Sequence, residues 1–373
     1  MDFENFRRIL VLYVGGTIGM KKNCYDVLEA AHNDFRAKIK SSSSLHDSKW
    51  ARENLHGKLK ENQMILPQSG NGQKILYEII EYTPLLDSSN MTLKDWIRIA
   101  KDIEFYYHNY NGFIVLHGTD TLAYTASALS FMLNGLQKTV IVTGSQIPIF
   151  ESRSDANNNF FGSLYICGSF TIPEVCVFFS NKLFRGNRVA KVCTEDLYAF
   201  DSPNYPALAH VGVGIKVHEY FIRKIDYAEK FSVYTDLNPH VAVIEFFPTI
   251  TAEMLSAFLT IPKLQGVVIQ SFGTGNIPSK LDLLEVLGAA VARCILIVNI
   301  TISAKGAVSM SYATGKVLQD IGVISGEDLT VEAALAKLCY VLGLPGLTFE
   351  ERKEAMRTDL RGEMTIQKYE EIK

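Results

Sequence analysis

The sequence of 373 residues lacks several features that would point to a metalloprotein or a nucleic-acid-binding protein. Its six cysteines form no C-x-x-C pair, and most of them stand in apolar runs, where a free cysteine behaves as a small hydrophobe. That usage disfavours zinc and is typical of a reducing compartment. The formal net charge of −3 provides no basic excess for a polyanionic partner. We therefore expect neither a metal centre nor a nucleic-acid partner.

Segments for secretion or membrane insertion are also missing. Residues 1–8 carry acidic positions before basic ones and do not match the pattern of a signal peptide. The most apolar later run, 286–300, is interrupted by Arg293 and is too short to cross a bilayer. The sequence thus predicts a soluble, cytoplasmic protein without a membrane partner.

A glycine-rich turn follows the first apolar run, but it does not match a dinucleotide-binding fingerprint. The run covers 9–14 and ends in Gly15-Gly16-Thr17-Ile18-Gly19. G-G-x-x-G differs from the G-x-G-x-x-G spacing, and no helical pattern follows directly. We expect no nucleotide cofactor. Such glycines instead let the backbone approach a small ligand, with Thr17 as the one reactive side chain.

Apolar runs alternate with amphipathic stretches along the whole chain, which predicts an α/β fold. The run 113–116 is apolar at every position, as is typical of a strand buried on both faces of a parallel sheet. We predict a large N-terminal doubly wound parallel-sheet domain over 1–225, a linker over 226–240 and a smaller C-terminal α/β domain over 241–373.

Three stretches are predicted to depart from that alternation. Residues 20–72 are polar, and we expect one part of them to be helical and much of the rest to be irregular mobile surface that could serve as a lid. Residues 183–188 are predicted as a turn. Residues 211–217 alternate in polarity and are predicted as an edge hairpin strand.

Polar side chains follow four of the predicted strands. In an open parallel sheet, ligands bind in the crevice outside the carboxyl ends of the strands, so these side chains are directed toward a candidate site. They are Thr17, the segment Asp87-Ser88-Ser89, the pair Thr119-Asp120, and Lys191.

A hydroxyl, a lysine and a carboxylate together can perform nucleophilic acyl transfer without histidine. Backbone N–H groups at Gly118 to Asp120, ahead of a helix, would stabilise an oxyanion. Ordinary structural roles fit the same residues: Thr119 and Asp120 as helix caps, Lys191 as a surface lysine. Spacing alone therefore predicts only a small polar ligand at an α/β crevice.

Two stretches, 13–20 and 117–121, resemble the two signatures of the bacterial-type L-asparaginases, an amidohydrolase family. Further segments resemble its cytosolic type I branch: 87–91, 143–146, 184–188 and 360–364. The resemblance runs nearly end to end and is weakest over 21–70. It implies hydrolysis of L-asparagine to L-aspartate and ammonia through a threonyl acyl-enzyme, in a homodimer or homotetramer.

The resemblance also implies residue roles. Thr17 would attack the amide carbon, although the family leaves open which of its two threonines attacks first. The second triad would be Thr119, Asp120 and Lys191. The substrate-binding set would be Asp87, Ser88, Ser89, Gly118 and Asn276, the last within a segment that approaches a neighbouring protomer's site.

Two tyrosines compete to assist Thr17. Tyr25 lies in the polar stretch where many bacterial members carry theirs, and Tyr312 matches the position used by animal relatives. We favour Tyr312. Some animal relatives continue into ankyrin repeats; with an end at Lys373 we expect none here.

A different class of function remains open as an alternative. A catalytically inactive protein on the same fold would bind or sense an amino acid without hydrolysing it. Such a sensor has no need of a relay lysine, and therefore the presence of Lys191 together with both threonines favours an enzyme.

Overall fold

The computed structural model describes residues 6–30, 34–67, 72–309 and 313–366. The chain divides into two compact units, one made of Met1–Ser202 with Pro206–Val233 and the other of Pro203–Tyr205 with Tyr234–Lys373. The passage from the first to the second, after Val233, falls inside the segment predicted as a linker. None of the described helices combines the length and apolar character needed to span a membrane.

The first unit contains fifteen strands and five α-helices among its described residues. The strands are β1 Arg7–Gly15, β2 Met20–Lys22, β3 Leu28–Ala30, β4 Gln63–Ile65, β5 Ile75–Leu86, β6 Gly112–Leu116, β7 Leu133–Asn134, β8 Thr139–Thr143, β9 Val175–Phe179, β10 Lys182–Arg185, β11 Ala190–Lys191, β12 Phe200–Asp201, β13 Ala209–Val211, β14 Ile215–Val217 and β15 Ser232–Val233. The helices are α1 Asp34–Ser41, α2 Ser48–Leu55, α3 Leu93–Tyr106, α4 Leu122–Met132 and α5 Ala156–Ser169.

Nine of these strands form one mixed sheet in the order β14-β13-β10-β9-β8-β6-β1-β5-β4. The five strands from β9 to β5 are parallel to one another, and the strands outside them on both sides pair antiparallel. The chain adds β5 on one side of β1 and then β6 on the other. The order therefore reverses at β1, and such a switch point opens a crevice at the carboxyl ends of the adjacent strands.

Local sequence accounts for the elements around that crevice. Every residue of β6 is buried, as its apolar run predicts. Helix α3 begins at a capping box, in which the Asp95 carboxylate accepts from the Thr92 amide at 2.8 Å. Helix α4 is buried on nearly all faces, because the unbroken apolar and small residues after Leu122 suit a position against the sheet.

Three local predictions differ in part from the structure. The described residues of 20–72 contain the expected helical part, as helices α1 and α2, but also three short strands that were not predicted. Their few apolar residues, Phe35 and Ile39 among them, are fully buried. Leu183–Arg185 belong to β10, and only Gly186–Arg188 form a turn of 3-10 helix. Residues 211–217 contain the last residue of β13 and the whole of β14, an edge hairpin in which the glycines at 212 and 214 turn the chain.

The second unit is a smaller α/β structure with a parallel sheet, as predicted. The order β16-β17-β18-β19 follows the chain, and all three strand pairs are parallel. Its strands are β16 Val241–Glu245, β17 Gly266–Ser271, β18 Leu296–Thr301 and β19 Ile324–Ser325, and its helices are α6 Ala252–Leu259, α7 Leu281–Ala292, α8 Ala313–Asp320, α9 Val331–Gly343 and α10 Phe349–Arg357.

Candidate active site

Two glycines bring the ends of β1 and β6 into direct contact. Gly16 has φ of 88°, and a Cβ there would lie 2.3 Å from the Gly118 Cα. A Cβ on Gly118 would lie 2.5 Å from the Ser88 Oγ. Only glycine fits at Gly16, because the obstruction there is backbone and its φ is unfavourable for other residues, and a side chain at Gly118 would displace Ser88. The segments after β1, β5 and β6 therefore meet at one point, and Thr17 follows it directly.

The turn that carries Thr17 is held from two sides. Thr17–Gly19 form a single turn of 3-10 helix, and the Ile149 amide donates to the Ile18 carbonyl at 3.0 Å. The Tyr13 ring stacks on Phe35 at 4.4 Å and lies so close to Gly19 that a Cβ there would clash with it. The half-buried Thr17 side chain is thus mounted on a tightly packed turn at the switch point.

Ser88 joins the segments after β5 and β6. Its hydroxyl oxygen accepts from the Asp120 amide at 3.2 Å, and its carbonyl accepts from the Thr121 hydroxyl at 2.7 Å. Ser88 is buried, and the Asp87 carboxylate accepts from the Ser89 amide at 3.2 Å. This serine is part of a connected polar wall and not of an isolated loop. Apart from its position directly after Thr119-Asp120, nothing in the sequence signals the role of Thr121 in that wall.

Lys191 lies against both Thr119 and Asp120. Its Nζ donates to the Thr119 Oγ1 at 2.9 Å and to the Asp120 Oδ1 at 2.7 Å. The lysine side chain is 17% exposed, so it is not a solvated surface lysine. The two-residue strand β11, which pairs antiparallel with β12, carries Lys191 to this position.

The helix-cap alternative for Thr119 and Asp120 does not match this geometry. Helix α4 begins at Leu122, and Thr121 occupies its N-cap position. Thr119 and Asp120 precede the cap, with their side-chain oxygens engaged by Lys191. A lysine nitrogen within hydrogen-bond distance of a hydroxyl and a carboxylate can exchange protons with that hydroxyl.

Three further site residues were predicted from the sequence: Tyr25, Tyr312 and Asn276. Tyr25 lies at the tip of the β2–β3 hairpin, where the Asn23 side chain accepts from its amide at 2.9 Å. Its side chain is 82% exposed and lies in solvent. Tyr312 lies outside the described residues. Asn276 belongs to the second unit, in a tight turn after β17 where its amide and carbonyl both bond to Phe272 at 2.8 Å.

Comparison with known proteins assigns the family. Residues 8–223 match the family described as asparaginase, N-terminal, and residues 240–356 match the glutaminase/asparaginase C-terminal domain. The chain belongs to the asparaginase family. L-asparaginase 1 of Escherichia coli (strain K12) is similar to this asparaginase-family chain, with 39% identity over 96% of the chain and 98% of the relative.

Solved structures agree with that family. The crystal structure of L-asparaginase I from Vibrio cholerae resembles this asparaginase-family chain with a TM-score of 0.82 at 39% identity, covering 96% of this chain and 99% of the other. The predicted two-domain asparaginase-like fold is thereby confirmed.

A differently named relative is more similar in sequence. The human protein named 60 kDa lysophospholipase is 46% identical over 98% of this chain. This chain spans only 63% of the length of that relative.

Proposed function

We propose that this asparaginase-family chain is an L-asparaginase, which hydrolyses the side-chain amide of L-asparagine to L-aspartate and ammonia. The observation that carries the proposal is the contact of Lys191 Nζ with both Thr119 and Asp120 at the switch point of the sheet. Binding alone does not require a lysine placed against a hydroxyl. Proton transfer during amide hydrolysis requires a positioned acid-base group, and Lys191 is placed to be that group.

The proposed reaction has two halves. The Thr17 oxygen attacks the amide carbon, its proton passes to the leaving nitrogen, and ammonia departs to leave a threonyl ester. Water then attacks that ester, returning the proton to Thr17 and releasing L-aspartate. Backbone N–H groups near Gly118 would hold the oxyanion in both steps, and Lys191 with Thr119 would move the protons.

Substrate recognition is proposed to use the polar wall beside Thr17. The Ser88 and Ser89 hydroxyls and backbone would hold the α-carboxylate, and the Asp87 and Asp120 carboxylates would hold the α-ammonium group. A glutamine substrate differs by one methylene, which typically changes discrimination by about 1–3 kcal/mol. We therefore expect glutamine hydrolysis to be weaker than asparagine hydrolysis.

We further propose a cytoplasmic homodimer or homotetramer in which Asn276 approaches a neighbouring protomer's site. All six cysteines are free thiols, which suits a reducing compartment. The assistant to Thr17 is proposed to be Tyr312, with Tyr25 as the alternative, because Tyr25 would have to leave solvent to reach the site.

The name of the human relative supports a second candidate, hydrolysis of the acyl ester of a lysophospholipid. The same threonine could attack an ester carbonyl. The deciding experiment measures ammonia release from L-asparagine and from L-glutamine, and fatty-acid release from lysophosphatidylcholine, with wild type and Thr17→Ala. We expect Thr17-dependent ammonia release, fastest with asparagine. Fatty-acid release alone would favour the esterase, and asparagine binding without turnover would favour a sensor.

We expect hyperbolic kinetics in asparagine, without cooperativity. The resemblance to the type I branch implies an allosteric asparagine site in the second domain, with an arginine where this chain has Glu245, an exposed residue at the end of β16. Charge reversal there disfavours an effector carboxylate. Initial rates over a wide asparagine range, for wild type and Glu245→Arg, test this. A clearly sigmoidal wild-type curve contradicts it.

A further inference from the structure

His117 lies between the end of β6 and Gly118, and the proposed mechanism assigns it no role. Its side chain is buried, and each of its two ring nitrogens lies within hydrogen-bond distance of a partner. Nδ1 lies 2.7 Å from the Gly118 carbonyl oxygen, and Nε2 lies 2.9 Å from the Thr125 Oγ1 on helix α4. The imidazole therefore connects the peptide at the start of the candidate site to the helix behind it.

Chemistry decides which nitrogen carries the proton. A carbonyl oxygen only accepts, so the proton must be on Nδ1, and in a neutral ring Nε2 then accepts from the Thr125 hydroxyl. Burial lowers the pKa of His117 to about 4, which keeps the ring neutral near pH 7. One tautomer thus satisfies both partners, with no proton to gain or lose under working conditions.

The Gly118 carbonyl and the Thr119 amide belong to the same planar trans peptide and point in opposite directions. Because His117 holds the carbonyl toward the protein interior, the Thr119 N–H points the other way. The next amide, of Asp120, is directed to the Ser88 hydroxyl at 3.2 Å. The orientation of one peptide therefore determines how Thr119 is presented to Lys191 and to the crevice.

We propose that His117 is a positioning residue for amide hydrolysis, acting through its Nδ1–H bond to the Gly118 carbonyl. The Thr125 contact selects the tautomer and adds stability, but it does not itself orient the peptide. This inference rests on the proposed function for its kinetic readout only.

Two substitutions separate the two ring nitrogens. In His117→Asn the side-chain amide reaches the position of Nδ1 and can still donate to Gly118. In His117→Gln it reaches the position of Nε2 and can bond only to Thr125. Because a misplacement of about 1 Å can cost about 100-fold in rate, we expect kcat to fall roughly 10- to 100-fold in His117→Gln and only a fewfold in His117→Asn. KM should change less than kcat in both.

Thr125→Val is the matched control. It removes the hydroxyl with little change of shape, and we expect a lower melting temperature with kcat within about threefold of wild type. A purely structural His117 would instead make all three variants lose activity in proportion to their loss of stability. Equal losses of kcat in His117→Asn and His117→Gln would overturn the proposal.

Nitrogen NMR of the wild-type imidazole gives a test without catalysis. We expect a neutral Nδ1–H tautomer that does not titrate between about pH 5 and pH 8. A ring that titrates in that range, or that carries its proton on Nε2, contradicts the inference even if every variant fails to fold. If the imidazole shows the expected tautomer but the protein does not hydrolyse asparagine, the proposed function is wrong. The inferred orientation of the Gly118 peptide is then still supported.

Discussion

Lys191→Met should lower the kcat for L-asparagine by about 10³-fold, which corresponds to about 4 kcal/mol in the activation barrier. The substitution keeps most of the aliphatic stem but removes the nitrogen that lies 2.9 Å from the Thr119 Oγ1 and 2.7 Å from the Asp120 Oδ1. Without it, the Thr119 hydroxyl loses the cationic nitrogen with which we propose it exchanges a proton. The measurement is steady-state ammonia release.

The fold should survive this change. The Asp120 side chain is 60% exposed, and ion pairs with a solvent-exposed partner contribute about 0–1 kcal/mol to stability. Thermal unfolding of Lys191→Met should therefore stay close to wild type. Lys94→Met, at an exposed lysine in the first turn of α3, is the matched control and should change neither quantity.

Lys191→Arg separates the two ways in which the lysine can act. Arginine keeps the positive charge and the donors, but it does not lose its proton in proteins. If Lys191 exchanges a proton with Thr119, as we propose, then Lys191→Arg should be nearly as slow as Lys191→Met. Recovery to within about tenfold of wild type would mean that a fixed positive charge is sufficient. A kcat for Lys191→Met above about a tenth of wild type would remove the lysine from the mechanism altogether.

The parts of this fold that depend on local sequence were predictable. The run 113–116 is apolar throughout, and it became β6, Gly112–Leu116, which begins one residue earlier and ends at the predicted residue. The short strands β4 and β10 were missed, because they exist through pairing with β5 and with β9 and β13. A three-residue segment such as Gln63–Ile65 carries too little pattern to predict a distant partner.

In the candidate site, too, local features were predictable from the sequence and contacts between distant segments were not. That Thr17 and Thr119 follow buried strands is visible in the sequence, and topology then brings the strand ends together. The contact of Gly16 with Gly118 and the bond from Asp120 to Ser88 join residues far apart in the chain, and no spacing rule predicts them. His117 was missed because a histidine after an apolar run is indistinguishable in sequence from any buried core histidine.

The second large effect should appear in the stability of the second unit. Lys337→Met is expected to lower the free energy of unfolding by about 3–5 kcal/mol, because removal of one partner leaves an uncompensated buried charge. The Lys337 Nζ lies 2.6 Å from the Glu363 Oε1, and both side chains are fully buried, at 0% exposure. Urea unfolding of the whole chain, followed by a probe of the second unit, is the measurement.

The lysine also closes the end of a helix. Its Nζ donates to the Met356 carbonyl at 3.0 Å and to the Thr358 carbonyl at 2.5 Å, at the last turn of α10 and just beyond it. Glu363 in turn accepts from the amides of Leu360 and Arg361, at 3.0 and 2.6 Å. Burial alone would raise the pKa of Glu363, but the charge and hydrogen bond of Lys337 together with these two amides hold it below its usual value.

The double variant Lys337→Met/Glu363→Gln tests whether the loss comes from the orphaned charge. The Leu360 and Arg361 amides donate to different oxygens of Glu363, and glutamine keeps an acceptor for only one of them. It removes the buried negative charge, however, so the double variant should be more stable than Lys337→Met alone. Lys353→Met is the control, since its partner Glu350 is 73% exposed, and it should cost less than about 1 kcal/mol. If Lys337→Met is no more destabilising than Lys353→Met, the pair does not hold the 356–364 segment onto α9. If instead the double variant is as unstable as the single one, the lost bonds to the α10 carbonyls account for the effect, and charge burial does not.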